Sequence, residues 1–316
     1  MRTFSFSAIA RYVKRNQWFI AIELAVLASI TTLFMVGDND LSFYYQPFAR
    51  GCLECGYVPY FAYWFLWPLG LFSHKVTYFF LTAFSAGVLL AITYRRRANP
   101  LVVLLSFPAM ALLWVSQIDA IIALGLGLAF GLFTKNNHWR GLGLVMAFIK
   151  PQISLLAVIV LLWQSPKKFL KMLPVPIIAA IASFIQFGLD WPLKWLQQAQ
   201  SLPTHEYRQT AQMLFPYSLI LLLTPFFIKN KDRQLQVALV ASAFLPQYSI
   251  YSYVVFIVFL KPASWWIAPL SFLWLLFYPW LGEQSHIVQI VFPLIVLISL
   301  FIQSYSEQSA GRVAPK

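Results

Sequence analysis

Long apolar runs recur from residue 18 to residue 303, separated by short breaks that are mostly basic or proline-containing. The first run, 18–36, is interrupted only by Glu23. It is too long for a signal-peptide core and reads as a retained signal anchor. The basic residues before it, Arg2, Arg11, Lys14 and Arg15, put the N-terminus in the cytoplasm. Phe4, Phe6, Ile9 and Val13 suggest a surface-lying amphipathic helix ahead of that anchor. A first outer loop, 37–75, follows. Within it, 58–73 is apolar and aromatic but short and broken by Pro59 and Pro68. If 58–73 crossed, the helix predicted over 76–94 would leave Arg95, Arg96 and Arg97 outside, against the positive-inside rule. The segment is therefore expected to be an interfacial or re-entrant element on the outer face.

The same reasoning orders the rest. Residues 100–115 go out and 118–133 return. Residues 141–163 are apolar except for Lys150-Pro151-Gln152, and two short helices meeting at Lys150 keep Lys167, Lys168 and Lys171 inside. Residues 172–189 go out to a second outer segment, 190–213. Runs 214–228, 234–249, 250–260, 265–281 and 287–303 then alternate, ending in a cytoplasmic tail at 304–316. The predicted architecture is an all-α polytopic membrane protein with a single transmembrane domain over 1–303. At about 20 apolar residues per span the chain has room for about nine to twelve spans, some short.

Composition agrees with this pattern. Of 316 residues, 60% are hydrophobic and 10% charged, and the mean hydropathy is +0.71. A soluble enzyme, a disordered chain and a disulfide-knotted secreted module are excluded. The net charge of +13 is a topology signal and not a nucleic-acid footprint. Eighteen of the 23 cations fall on the inner side, and the acids do the reverse, with Asp38, Asp40, Glu54, Asp119, Asp190, Glu206 and Glu283 outside. Two cysteines cannot complete a four-ligand zinc site. Cys52-x-x-Cys55 leaves a local disulfide open as an alternative. No internal repeat is evident.

Candidate chemistry gathers at outer helix ends, where charge is costly and marks sites. Asp38-Asn39-Asp40 reads as a general base or a D-x-D metal ligand, or else as a helix cap or solvated loop charge. Gln117 and Asp119 read as hydrogen-bonding groups of a site, or as an N-cap that Ser116 or Asp119 provides. Lys150, among apolar neighbours, needs a partner. It stabilises a phosphate leaving group, or it forms a structural ion pair with Asp119 or an outer-loop acid. His205, Glu206, Tyr207 and Arg208 form a lid or donor clamp, or a solvated loop. The stretch 244–253, an outer helix end with three tyrosines (Tyr248, Tyr251 and Tyr253), lines a sugar pocket or belongs to an interfacial aromatic belt. Gly127 and Gly131, four apart, suggest close helix packing.

The segments DNDLSFYYQPFARG, YVPYFAYWFLWPLGLF, SQIDAII, FIKPQ and LPQYSIYSYVVF stand in this order over about 18–260. Together they resemble polyprenol-phosphate-sugar-dependent transferases of the GT-C superfamily, especially the mannosyltransferase-like glycosyltransferase family 87. Two positions depart from that pattern: Ser116 stands where a glycine precedes the glutamine, and Ser252-Tyr253 where the late motif often has histidine. The resemblance implies a GT-C-like bundle and an inverting transfer of a sugar, mannose or another hexose or pentose, on the extracytoplasmic face. The donor is a polyprenyl-phosphate sugar and the acceptor a hydroxyl of a glycan, lipid or protein. It makes Asp40 the catalytic base, with Asp38 second. Gln117, Asp119 and Lys150 then line the site, with Arg50, Tyr45, Gln152, His205, Arg208, Tyr248 and Tyr253 as further donor-binding candidates. A monophosphate leaving group needs no cofactor; a divalent metal is compatible but not expected. A multi-pass transporter or lipid flippase, and a non-catalytic membrane assembly protein, are the competing readings.

Overall fold

Proline and glycine decide where the apolar runs break. Pro100, Pro108, Pro151, Pro166 and Pro174 each stand in the first turn of a helix, where the missing N–H costs nothing and the fixed φ suits the start. The computed structural model describes residues 6–35, 37, 40–200, 214, 216–245, 248–261 and 264–313. It is all-helical, with no strand among the described residues. The helices used below are α1 (Phe6–Thr31, kinked at Asn16), α2 (His74–Arg96), α3 (Phe107–Trp114), α4 (Asp119–Ala129), α5 (Asn137–Ala147), α6 (Pro151–Gln164), α7 (Pro174–Phe187), α8 (Trp191–Gln200), α9 (Lys231–Ser242), α10 (Tyr253–Phe259) and α11 (Val291–Val313).

The apolar runs differ in the length of helix they form. Among the described residues, two helical stretches are long and apolar enough to cross a membrane, His74–Arg96 and Ile287–Glu307. The pair α7 and α8 meets at 85° and makes a third only if taken as one bent span. Other apolar helices, such as α4 and α6, are shorter. Prolines that start new helices cut the apolar runs, and several connecting stretches are 3₁₀. Residues 58–73 form only short 3₁₀ and α turns. The last helix continues past 303 to Val313, and Glu307 bonds Arg233 at 3.1 Å, so this part of the expected tail is docked.

Polar groups collect at two opposite ends of the bundle. At one end Arg96, closing α2, makes a two-pronged pair with Asp232 at the start of α9, at 2.5 and 2.9 Å. Gln236 Nε2 donates to the same carboxylate at 2.9 Å. The Asn230 side chain caps α9 by accepting from the N–H groups of Asp232 and Arg233. Gln164, closing α6, donates to the Lys231 carbonyl at 2.8 Å. Arg140, near the start of α5, donates to the Ala129 carbonyl that ends α4, and Arg95 lies over the Phe133 ring. Since α5 starts and α6 finishes at this end, Lys150 between them lies at the tip of a helical hairpin at the other end. That is the geometry the charge pattern predicts for 141–163.

The helices joining the two ends touch closely. A Cβ on Gly125 would lie 2.7 Å from the Ala147 N and Gly143 O, and one on Gly143 would lie 2.5 Å from Gly125 O. These glycines, rather than the Gly127 and Gly131 expected from their spacing, bring α4 and α5 together backbone to backbone. Gly131 instead terminates α4 at φ +80°. Leu132 N–H bonds Gly127 O and Gly131 N–H bonds Leu128 O, a Schellman cap that favours glycine in the left-handed conformation.

Asp232 serves Arg96 and Gln236 together, and the Arg96 side chain is only 10% exposed. Asp232→Ala should lower stability by about 2 kcal/mol, less than for a fully buried pair because the Asp232 side chain is 45% exposed. Thermal unfolding in detergent reads this, and Arg96→Met combined with Asp232→Leu should recover part of the loss.

Candidate functional site

Pro151 disfavours helical geometry at the residue before it, and Lys150 adopts φ −130°, ψ 84°. The chain breaks there, and the lysine side chain is delivered to the tip of the α5–α6 hairpin. Its Nζ lies 2.9 Å from Asp119 Oδ1 and donates to Gln117 Oε1 at 2.9 Å. It also lies 5.1 Å from the centre of the Tyr251 ring, a cation–π distance. Asp119 is fully buried; its other oxygen accepts from Ser252 Oγ at 3.1 Å. Gln117 Oε1 also accepts from the Tyr45 hydroxyl at 2.8 Å. Of the two readings for Lys150, the ion pair with Asp119 is built. Asp119 is the first residue of α4, where the helix dipole favours an acid.

The turn before α4 carries strain. Ser116 has φ +56°, a conformation that costs an ordinary residue roughly 1–2 kcal/mol. Neither Ser116 nor Asp119 caps α4, whose N-cap is Ile118. The left-handed turn aims Gln117 at Lys150 instead. Gln117 is fully buried, and its Nε2 has no hydrogen-bond partner among the described residues.

Asp40 stands at the start of a π-helical turn, Leu41–Tyr45; π-turns are rare and frequent at functional sites. Buried Gln46 secures this turn, donating to the Phe72 carbonyl at 3.1 Å and accepting from His74 Nδ1 at 3.1 Å. A cavity of about 80 Å³ opens between these parts. It is lined by Asp40, Tyr44, Tyr45, Tyr57, Val58, Ile149, Lys150, Gln152, Trp195, Ala199, Ser249, Tyr251 and Ser252. Residues far apart in the chain thus meet in one place, and Asp40 and Lys150 face a common space.

The other expected residues fall elsewhere. Gln117 and Asp119 lie behind the wall and hold Lys150. Arg50 is exposed and donates to the Gly70 and Phe72 carbonyls, outside the cavity lining. Tyr248 is buried, with its hydroxyl on the Ser252 carbonyl at 3.3 Å. Tyr253 packs against Tyr248, Phe256 and Phe292, so neither faces the cavity. Asp38, His205 and Arg208 lie outside the described residues. All three tyrosines of 244–253 were candidates for a pocket wall, and Tyr251 is the one that lines it; Ser249 and Trp195 were not singled out from the sequence. In the short 3₁₀ helix Ile250–Ser252 the tyrosine that reaches the cavity is the middle one of three, and only three-dimensional packing distinguishes it.

One wall belongs to α8. Its Trp195 Nε1 donates to the Tyr57 carbonyl at 3.3 Å. Its exposed Asp190–Lys194 pair, 2.7 Å apart just ahead of and within the helix, holds the Asp190 carboxyl below its ordinary value through the lysine hydrogen bond. Cys52 and Cys55 are joined as a disulfide in the adjoining loop. Comparison with models of known families, with curated proteins and with solved structures gives no match.

Asp119→Ala leaves a largely buried ammonium and the Ser252 hydroxyl without their partner, so a loss of about 3 kcal/mol is expected. The double change Asp119→Asn with Lys150→Met should cost clearly less; equal losses in denaturant unfolding would contradict the pairing. At the strained turn, Ser116→Gly should be neutral or stabilising by up to about 1 kcal/mol, while Ser116→Val should destabilise, since a β-branched residue tolerates positive φ poorly. The sign of the change in Tm decides.

Proposed function

We propose that this chain is an integral membrane glycosyltransferase that moves a sugar from a polyprenyl-phosphate donor to an acceptor hydroxyl on the extracytoplasmic side. The observation that carries the reading is the shared cavity, with a carboxylate (Asp40), an amide (Gln152), a serine (Ser249) and the rings of Tyr44, Tyr57, Tyr251 and Trp195 on its walls. Aromatic faces suit the C–H faces of a sugar ring, and the polar groups suit its hydroxyls. The two long apolar helices and the exposed isoleucines 177, 178, 181 and 185 of α7 support a bilayer setting. The disulfide at the cavity end supports an oxidising compartment there. The arginines and lysines at the other end support a cytoplasmic face with both termini inside.

In this mechanism the acceptor hydroxyl gives its proton to Asp40 as its oxygen attacks the anomeric carbon. The bond from that carbon to the phosphate oxygen breaks, the lipid phosphate leaves with the electron pair, and the configuration inverts. Lys150 supplies a fixed positive charge at the wall, its position held by Asp119, Gln117 and Tyr251. The second reading is a membrane protein that binds a carbohydrate without transferring it. The engagement of Lys150 with Asp119 favours that reading, because it leaves less cationic charge for a departing phosphate. A transporter path is disfavoured: the polar groups stand at the bundle ends, and the buried middles of α4 and α6 are apolar.

Purified protein should transfer sugar from polyprenyl-phosphate mannose to a glycoside acceptor, and Asp40→Asn should lower kcat by about 10²–10⁴ while leaving donor binding intact. Full turnover by Asp40→Asn removes Asp40 as base. Donor binding without turnover in the wild-type chain selects the second reading.

A further inference from the structure

The wall that α8 gives the cavity is fastened in two different ways along its length. The chain bends into α8 at Gly188, which takes φ +86°. The first turn of α8 is then fixed by apolar contacts: Trp191 is buried and its ring lies about 6 Å from those of Tyr60, Phe61 and Phe184. Trp195, Gln198 and Ala199 follow one and two turns later, and Trp195 and Ala199 face the cavity. Their part of the helix is fastened by hydrogen bonds to backbone carbonyls of a single loop. Trp195 Nε1 donates to Tyr57 O at 3.3 Å. Gln198 Nε2 donates to Gly56 O at 2.7 Å and to Glu54 O.

That loop has little structure of its own. Leu53–Cys55 is a single 3₁₀ turn, too short to persist unaided. Two features set its shape. The Cys52–Cys55 disulfide ties the ends of the turn together, with Cys52 N–H bonded to Pro47 O and Cys55 N–H to Cys52 O. Gly56 seats the loop on Phe48, so closely that a Cβ there would lie 2.6 Å from the ring. Cys52 is exposed, so the bond is open to attack.

We propose that the Cys52–Cys55 disulfide is a redox latch on the cavity: closed, it presents the three carbonyls that hold the second half of α8 in place; reduced, it lets that half swing away and opens the wall. The reductant is a dithiol. One of its thiolates attacks Cys52 Sγ and Cys55 leaves as thiolate. The second thiol then closes the reagent into its own disulfide, so two electrons and two protons pass to the two cysteines. The first turn of α8, held by Trp191, acts as the pivot. The latch concerns the wall alone and does not depend on which ligand the cavity takes.

Hydrogen–deuterium exchange of the full-length protein in detergent, with and without dithiothreitol, tests it. Reduction should speed amide exchange in the stretch 194–200 by about tenfold while α2 and α4 stay unchanged. The oxidised Gln198→Ala variant should reproduce part of that gain with the disulfide intact. In Cys52→Ser with Cys55→Ser, the stretch should exchange fast at the outset and ignore dithiothreitol. Unchanged exchange in 194–200 on reduction overturns the latch. A parallel rise across α2 and α4 also overturns it, because the disulfide is then a brace for the whole fold.

Discussion

A lysine cannot rest among apolar helix ends without a compensating charge, and the arrangement around Lys150 follows from that requirement. Asp119 meets the ammonium at 2.9 Å, Gln117 accepts from it, and Tyr251 covers it with a ring face. These groups come from the strained turn before α4, the first residue of α4, the α5–α6 break and the segment before α10. Tyr45 adds the π-turn through Gln117. Four stretches of chain are therefore tied around one largely buried cation. Removing a single member leaves charge or hydrogen-bonding capacity stranded in a poorly solvated place.

Around that knot the cavity has a division of labour. The buried groups behind the wall fix geometry, while Asp40, Gln152, Ser249 and five aromatic rings face inward. The carbohydrate reading rests on the inward set, not on the knot. This explains why Asp119 and Gln117, both read from the sequence as polar site residues, have a supporting place. Their side chains are fully buried and spent on Lys150, Ser252 and Tyr45.

Part of this was legible in the sequence. The Lys150-Pro151 step was legible as a helix break, because proline disfavours helical geometry at its predecessor and the apolar run 141–163 has its one charged interruption there. The shared space of Asp40 and Lys150 was likewise anticipated from acids and a cation gathered at helix ends. Helix lengths were not legible, because hydropathy counts apolar residues and is blind to where prolines divide a run into short helices. Nor could pattern alone tell Gly125 and Gly143, which touch across two helices, from Gly127 and Gly131. The first two stand eighteen residues apart on two helices, and their close approach depends on the partner's backbone. All three tyrosines of 244–253 were legible as candidates, and only the local 3₁₀ phase turns Tyr251 to the cavity and the other two away from it. Arg50 looked like a site cation because it follows Asp40 closely, yet the turn directs it to two loop carbonyls.

The contact of Gly125 with Gly143 has a mechanical consequence. With backbone on backbone and no room for even one methyl group, α4 and α5 cannot slide past each other, so they behave as a single strut. Asp119 begins one of these helices and Lys150 follows the end of the other, so the charged pair rides on one stiff piece. Any change in the shape of the cavity then falls to the parts of its wall outside the strut, which carry Tyr44, Tyr57 and Trp195.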